Sequence, residues 1–361
     1  MQTLLLLFVV YFVLFTVFPL LRRKVYWVYS IVFIAVLSYL SFNISPSPTW
    51  DLYRHFETIK FYKQVGLNWI LENRMDLNPL THLYLYLFTF TDHRYFPAIT
   101  VFITYFIPFY LVYKSANKFN LNQTTVFLIT LFLVSNLNYL LIVSNCRLYL
   151  LYALFAYFIY MELIESKFKI ASWLFYLLAP FFHYGILPLI CCRLILLFRK
   201  RDIVSDLSII IIVLLLSLGY MYLLPMLNST VMLSSLEDKL LGYQKYTVFG
   251  TWQFLNSMTC IILVSVIAYL CYRHSRRNTI FLFYIFCLAA FLIGQLSSYQ
   301  LIYRSSNFLA MIAVVPFALI LTDEERLMKY RYIIINAIMI QSIYSFIYNF
   351  TYVYNGIRFD F

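Results

Sequence analysis

An all-α, polytopic integral membrane bundle is predicted by three features of the chain. Of its 361 residues 63% are hydrophobic and only 12% are charged, and the mean hydropathy is +0.81, far from a soluble domain. Its apolar runs approach the roughly 20 residues that a helix needs to cross a hydrocarbon core about 30 Å thick. Short clusters of Lys and Arg alternate with those runs, as loops that set membrane topology do. The net charge of +12 lies mostly in these clusters, so it reports topology and not an affinity for nucleic acid.

Taken in order, the runs at 2–21, 25–42, 97–113, 124–143, 147–161, 206–227, 252–272, 279–299, 307–321 and 332–350 each read as a span. The stretch 1–20 is apolar from its first residues, without a basic leader or a small-residue cleavage site, and is expected to be a retained first span. Two further stretches fit no simple crossing. The run 79–91, with Asn78 as its N-cap and Pro79 at the first helical position, reaches only about 20 Å at about 1.5 Å per residue and reads as a re-entrant or surface half-helix. The run 170–198 is interrupted by Pro180, Gly185 and Pro188 and reads as a hairpin turning near His183. A single transmembrane domain over 1–361 is expected, with about 10–12 helices, an outer loop carrying an amphipathic helix at 43–96 and a second outer loop at 228–250.

The basic clusters Arg22 to Lys24, Lys114 with Lys118, Lys167 with Lys169, Arg199 to Arg201, Arg273 with Arg276 and Arg277, and Arg326 with Lys329 and Arg331 can all lie on the cytoplasmic side, which puts both termini outside. The six cysteines show neither a disulfide framework nor zinc-ligand spacing. Nucleotide, dinucleotide and zinc-protease motifs are absent from the sequence, as is a paired Asp-x-Asp for metal-bound diphosphate, so no metal and no cofactor is expected. Interface belts and bundle packing account for most of the 34 Tyr and 36 Phe, so the count by itself implies no aromatic sugar platform.

Isolated cations then remain on the face that should exclude them: Arg54, Arg94, Arg147 and Arg304, with His183. In the first outer loop Trp50, Tyr53, Phe56 and Phe61 fall near helical spacing, with Asp51, Arg54 and His55 on another face, as in a helix lying on a membrane. Asp51 and Arg54 read either as a surface i,i+3 ion pair or as a base and an anion ligand. Arg147 follows Ser144-Asn145-Cys146 at the opening of a span, where it either snorkels to headgroups or presents a forked donor to a diphosphate. Arg304, in Leu301-Ile-Tyr-Arg-Ser-Ser-Asn307, reads as a loop cation or a second ligand, beside Tyr303. His183, in Phe181-Phe-His-Tyr-Gly185, reads as a structural hydrogen-bond partner, a proton acceptor or a phosphate ligand. Arg94, in Thr91-Asp-His-Arg-Tyr95, reads as part of a charge cluster at a helix end.

The order of these elements resembles the Wzy-type polysaccharide polymerases, especially the EpsG-like branch, along nearly the whole chain. The elements are Asp51-Leu-Tyr-Arg54, Asn145-Cys-Arg147, Phe182-His183-Tyr184 and Tyr303-Arg304. The second departs from the family's usual Ile-Arg-Gln by reading Cys-Arg-Leu-Tyr. The resemblance implies a GT-C-like fold in a bacterial cytoplasmic membrane, with the active site facing the periplasm or exterior. It also implies an inverting, metal-independent glycosyltransferase. That enzyme moves a growing glycan from undecaprenyl diphosphate onto a new lipid-linked repeat unit, for O-antigen, capsule or exopolysaccharide. Its partners would be the lipid-linked donor and acceptor, membrane lipids and a chain-length regulator. In this reading Arg147, Arg304, Arg54 and Tyr303 hold the diphosphate, and His183, ahead of Asp51, takes the acceptor proton. The alternative is a flippase for lipid-linked oligosaccharides, which would carry polar groups along a path through the membrane and show repeat symmetry.

Overall fold

The computed structural model describes residues 7–11, 13, 23–48, 50–74, 78–199, 203–223, 251–274, 278–295, 299–322 and 324–350. Among them every extended element is helical. Most of the expected first span and the whole of the loop 228–250 lie outside the described residues. Contacts divide the chain into two compact units, the described residues of Met1–Ile186 with Ser342–Phe361 and those of Leu187–Gln341.

The first unit contains α1 (Arg23–Phe42), α2 (Asp51–Asn73), α3 (Pro79–Leu87), α4 (Tyr95–Lys118), α5 (Gln123–Asn136), α6 (Tyr139–Ser144), α7 (Cys146–Leu163) and α8 (Lys169–Leu178). Its core is α4 packed between α1 and α7. Helices α4 and α7 run parallel. The rings of Tyr110 and Tyr157 lie 6.3 Å apart, Ser115 Oγ donates to Tyr160 Oη at 3.3 Å, and Lys118 Nζ donates to the Ile164 carbonyl at 2.7 Å. The starts of the two helices, Tyr95 and Cys146, therefore share one end of the unit.

Parallel neighbours need a return path, and the expected 124–143 span is that path in a broken form. Helix α5 has 14 residues, about 21 Å at the usual rise, too short for the core it was expected to cross. It stops where Asn138 turns extended and caps α6, its Oδ1 accepting from the Leu141 N–H at 3.0 Å. The freed polar groups are satisfied by a buried amide knot. Asn138 Nδ2 donates to Asn349 Oδ1 at 2.8 Å, Asn349 Nδ2 to the Ser135 carbonyl at 2.9 Å, and Ser345 Oγ to Asn136 Oδ1 at 2.9 Å.

The second unit contains α9 (Leu187–Ile195), α10 (Ile203–Leu223), α11 (Thr251–His274), α12 (Thr279–Gly294), α13 (Tyr299–Ile312), α14 (Val314–Thr322) and α15 (Glu324–Tyr348), whose turns from Ser342 onward count with the first unit. Helix α12 packs on α10 and α11, and α11 packs on α13 and α14. A Cβ on Gly294 would sit 2.6 Å from Ser217 Cβ, so glycine is what lets α12 approach α10 this closely. Arg199, one of the expected cytoplasmic loop cations, makes a bidentate pair with Asp206, both bonds 2.8 Å, and lies 4.6 Å over the Phe283 ring.

Among the described residues, four helices are long and apolar enough to span a membrane: Val25–Phe42, Tyr95–Lys118, Cys146–Leu163 and Trp252–His274. Leu301–Ile312 and Val314–Thr322, bent by 44°, would make a fifth. This is a multi-pass helical membrane protein, with fewer unbroken crossings among the described residues than the ten runs predicted. The expected 279–299 span ends as a helix at Gly294, and the expected 307–321 span is the bent pair. Pro316 has no N–H to give the Ile312 carbonyl, which is where the bend falls.

Candidate functional site

The outer-loop layer is built on α2. The sequence grouping placed His55 beside Asp51 and Arg54 on the polar face, but the structure places it on the buried one. Leu52, His55, Phe56, Ile59 and Tyr62 form the buried stripe at i, i+3, i+4, i+7 and i+10, while Arg54 remains 71% exposed in its side chain. That spacing is visible in the sequence; the larger aromatic side chains at 53 and 61 masked it, and both stay exposed. Gly66, at φ 80°, kinks the helix, a conformation that costs other residues strain.

Helix α2 packs on α3, α6 and the 3-10 turn Phe88–Phe90. Helix α3 begins with Asn78 at the cap position, where its backbone carbonyl accepts from Thr81 and His82 while its side chain makes no cap bond. It touches the 3-10 turn Ala179–Phe181 that ends α8, and Thr81 Oγ1 donates to the Phe182 carbonyl. The chain turns at His183 and enters a second 3-10 turn, Tyr184–Ile186, which packs on α7. A Cβ on Gly185 would lie 2.9 Å from both His183 Nδ1 and Leu148 Cδ1, so the turn sits directly against the residue that follows Arg147.

These contacts bring together groups from four stretches of sequence. Arg147, Arg54, His183 and His82 all act electrostatically on His55, and Arg147 also acts on Tyr62. His55 is buried, its ring edge-on to Phe96 at 5.5 Å. Burial first, then the Arg147 and Arg54 guanidiniums, hold its imidazole well below the ordinary histidine range, so it is neutral at pH 7. Tyr62 Oη and His82 Nδ1 are hydrogen-bonded at 2.6 Å, and burial pushes the Tyr62 phenol up despite Arg74 and Arg147. Tyr62 and His82, with Glu57, Thr58, Phe61 and Arg74, line a cavity of about 320 Å³. Among the described residues no three His, Cys, Asp or Glu side chains form a group that could hold a metal ion.

The expected residues divide as follows. Arg147 opens α7 beside the α2 and α3 layer, half-buried, at the same end of the unit as Tyr95. Asp51 lies in the first turn of α2 and accepts from Arg54, a favourable position for a carboxylate and the surface-pair arrangement. His183 accepts the Gly185 N–H at Nδ1, 2.9 Å away. A neutral ring with Nδ1 so engaged carries its proton on Nε2, where it donates and does not accept. Arg94 is held by Asp92 through Nε at 3.0 Å and Nη2 at 2.7 Å and lies 4.5 Å over Phe42. Those bonds from Arg94 hold the Asp92 carboxyl below the usual range. Tyr303 and Arg304 belong to the second unit and lie inside α13, one turn after its start and not in a loop. The Tyr303 carbonyl accepts from Ser306 Oγ at 2.8 Å and Asn307 Nδ2 at 2.9 Å. Sequence reasoning missed His55 and His82 as site residues.

Comparison of the chain with family models, curated proteins and solved structures gives no match to any of them.

Proposed function

We propose that this chain is a Wzy-type polysaccharide polymerase with a GT-C-like fold. It would lie in a bacterial cytoplasmic membrane with its site facing the periplasm or exterior. The observation that carries the reading is the gathering of Arg147, His82 and His183 about a buried neutral His55, at the end of the first unit opposite Lys118. Arg54 and Asp51 pair at the rim, and the cationic character that Arg147 brings to this end suits a substrate of opposite charge. A lipid-linked diphosphate fits, because the reaction makes charge there: the bond from anomeric carbon to phosphate oxygen breaks, and its electron pair leaves on the diphosphate. Arg147, as a forked donor, and the Nε2–H of His183 would hold that charge as it forms. The sequence order alone also assigns Arg304 and Tyr303 to the diphosphate.

Purified protein in liposomes, given a defined undecaprenyl diphosphate-linked repeat, tests this directly. Elongation into a polymer by wild type, abolished in Arg147→Ala at equal protein level, is the expected result. Movement of the substrate between leaflets without elongation would favour the flippase and end the polymerase reading.

A further inference from the structure

His55 is the buried group of this site for which neither the fold nor the proposed diphosphate contacts provide a partner. It is 7% exposed, and among the described residues no hydrogen bond reaches its ring; its neighbour in contact is the edge of Phe96. The two expected proton acceptors are both engaged, Asp51 by Arg54 and His183 Nδ1 by the Gly185 N–H. The elements packed around His55 present Arg54 from its own helix, His82 from α3, Arg147 from α7 and His183 from the turn before Tyr184–Ile186. Helix α6 and the turn Phe88–Phe90 contribute no charged side chain, and α4 contributes Phe96. Four cations or potential cations around one neutral imidazole make protonation unfavourable while the site is empty. A multivalent anion seated among them reverses that field.

We infer that His55 is the proton acceptor of this site, and that a pyrophosphate-class anion lying against Arg147 and His183 switches it on. The inference rests on the reading of Arg147 as an anion ligand and names the base that reading lacks. During transfer the acceptor hydroxyl oxygen bonds to the anomeric carbon and its proton passes to His55. The electron pair of the broken glycosyl bond leaves on the lipid diphosphate, and His55 returns the proton to solvent as that diphosphate departs. The acceptor hydroxyl is thus activated only when a donor is bound, which restrains wasteful reaction of the donor with water.

The test is calorimetry of the full chain in nanodiscs near pH 7, titrated with inorganic pyrophosphate in two buffers of different ionisation enthalpy. The difference between wild type and His55→Asn cancels the anion's own titration. Wild type should bind with greater proton uptake, by roughly half a proton or more per anion, and correspondingly tighter than the variant, by about twofold or more. A polyprenyl diphosphate in the same nanodiscs should give the same difference; uptake with that lipid alone would also support the proposal and assign the site to the headgroup. Equal proton counts with binding preserved would overturn His55 as the acceptor and leave the Arg147 reading standing. No binding of either anion to wild type would remove that reading and this one with it. Should His55→Asn not fold, wild type labelled with 15N-histidine must show a new imidazolium signal on adding pyrophosphate, and its absence would overturn the proposal. Elongation by a folded His55→Asn should fall roughly 100-fold or more with little change in donor KM.

Discussion

At the scale of single residues, geometry and charge type matter more than charge alone. Arg147→Lys retains the positive charge but loses the planar fork, so elongation should drop by roughly 10-fold or more while the protein stays folded. Near-normal elongation in that variant would show that only a point charge is needed. His55 also makes the stability of the fold depend on pH. Its folded-state pKa lies below the unfolded value of about 6.5, so the unfolded chain binds the proton more readily. Its contribution is fully present above pH 6.5 and is lost as pH falls below that value toward the folded pKa, at up to about 1.4 kcal/mol per pH unit. Thermal unfolding in detergent between pH 7 and pH 5 should therefore show a falling midpoint that flattens in His55→Gln. An unchanged slope would mean that His55 is not buried neutral. The surface pair Arg54 with Asp51 is exposed and contributes about 0.5 kcal/mol or less, so Arg54→Ala should leave the unfolding midpoint nearly unmoved.

At the scale of elements, two glycines hold the site for different reasons and should fail differently. Gly185 is constrained by contact: an added methyl meets the His183 ring and Leu148 at once. Gly185→Ala should displace His183 relative to α7 and cost roughly 1–3 kcal/mol, with elongation falling further than stability accounts for. Gly66 has open space around its Cβ position, so Gly66→Ala meets only backbone strain at φ 80°, about 1–2 kcal/mol, and should act on the layer formed by α2. Measuring unfolding and elongation for both separates them, and identical behaviour would contradict the contact argument. The break between α5 and α6 is likewise a built feature, since the amides of Asn136, Asn138 and Asn349 replace the backbone bonds that a continuous helix would have made.

At the scale of the whole molecule, the parallel run of α4 and α7 decides which face Arg147 reaches. Lys118 pairs with the end of α7 through Ile164 and Glu165, so the opposite end collects Tyr95, Arg147 and the layer of α2 and α3. In the proposed orientation, which puts that basic end in the cytoplasm, a cysteine replacing Lys60 should react with an impermeant maleimide in intact cells and one replacing Asn120 should not, in a background where exposed Cys191 is Ser. Reversed labelling would invert the orientation and remove the periplasmic site.

Hydropathy and composition are local quantities, which is why the amino-acid order alone identified a helical membrane protein and the ends of α1, α7 and α11 to within about two residues. The crossings drawn through 124–143 and 307–321 are broken and not continuous helices, because a hydropathy window averages over Asn138 and Pro316, each of which interrupts a helix through one hydrogen bond. The setting of His55 was out of reach for another reason. Residues 82, 147 and 183 meet it only once α3, α7 and the turn at His183 pack together, and no periodicity along one helix encodes that meeting. The residue that the sequence left among solvated neighbours is the one that folding buries among cations.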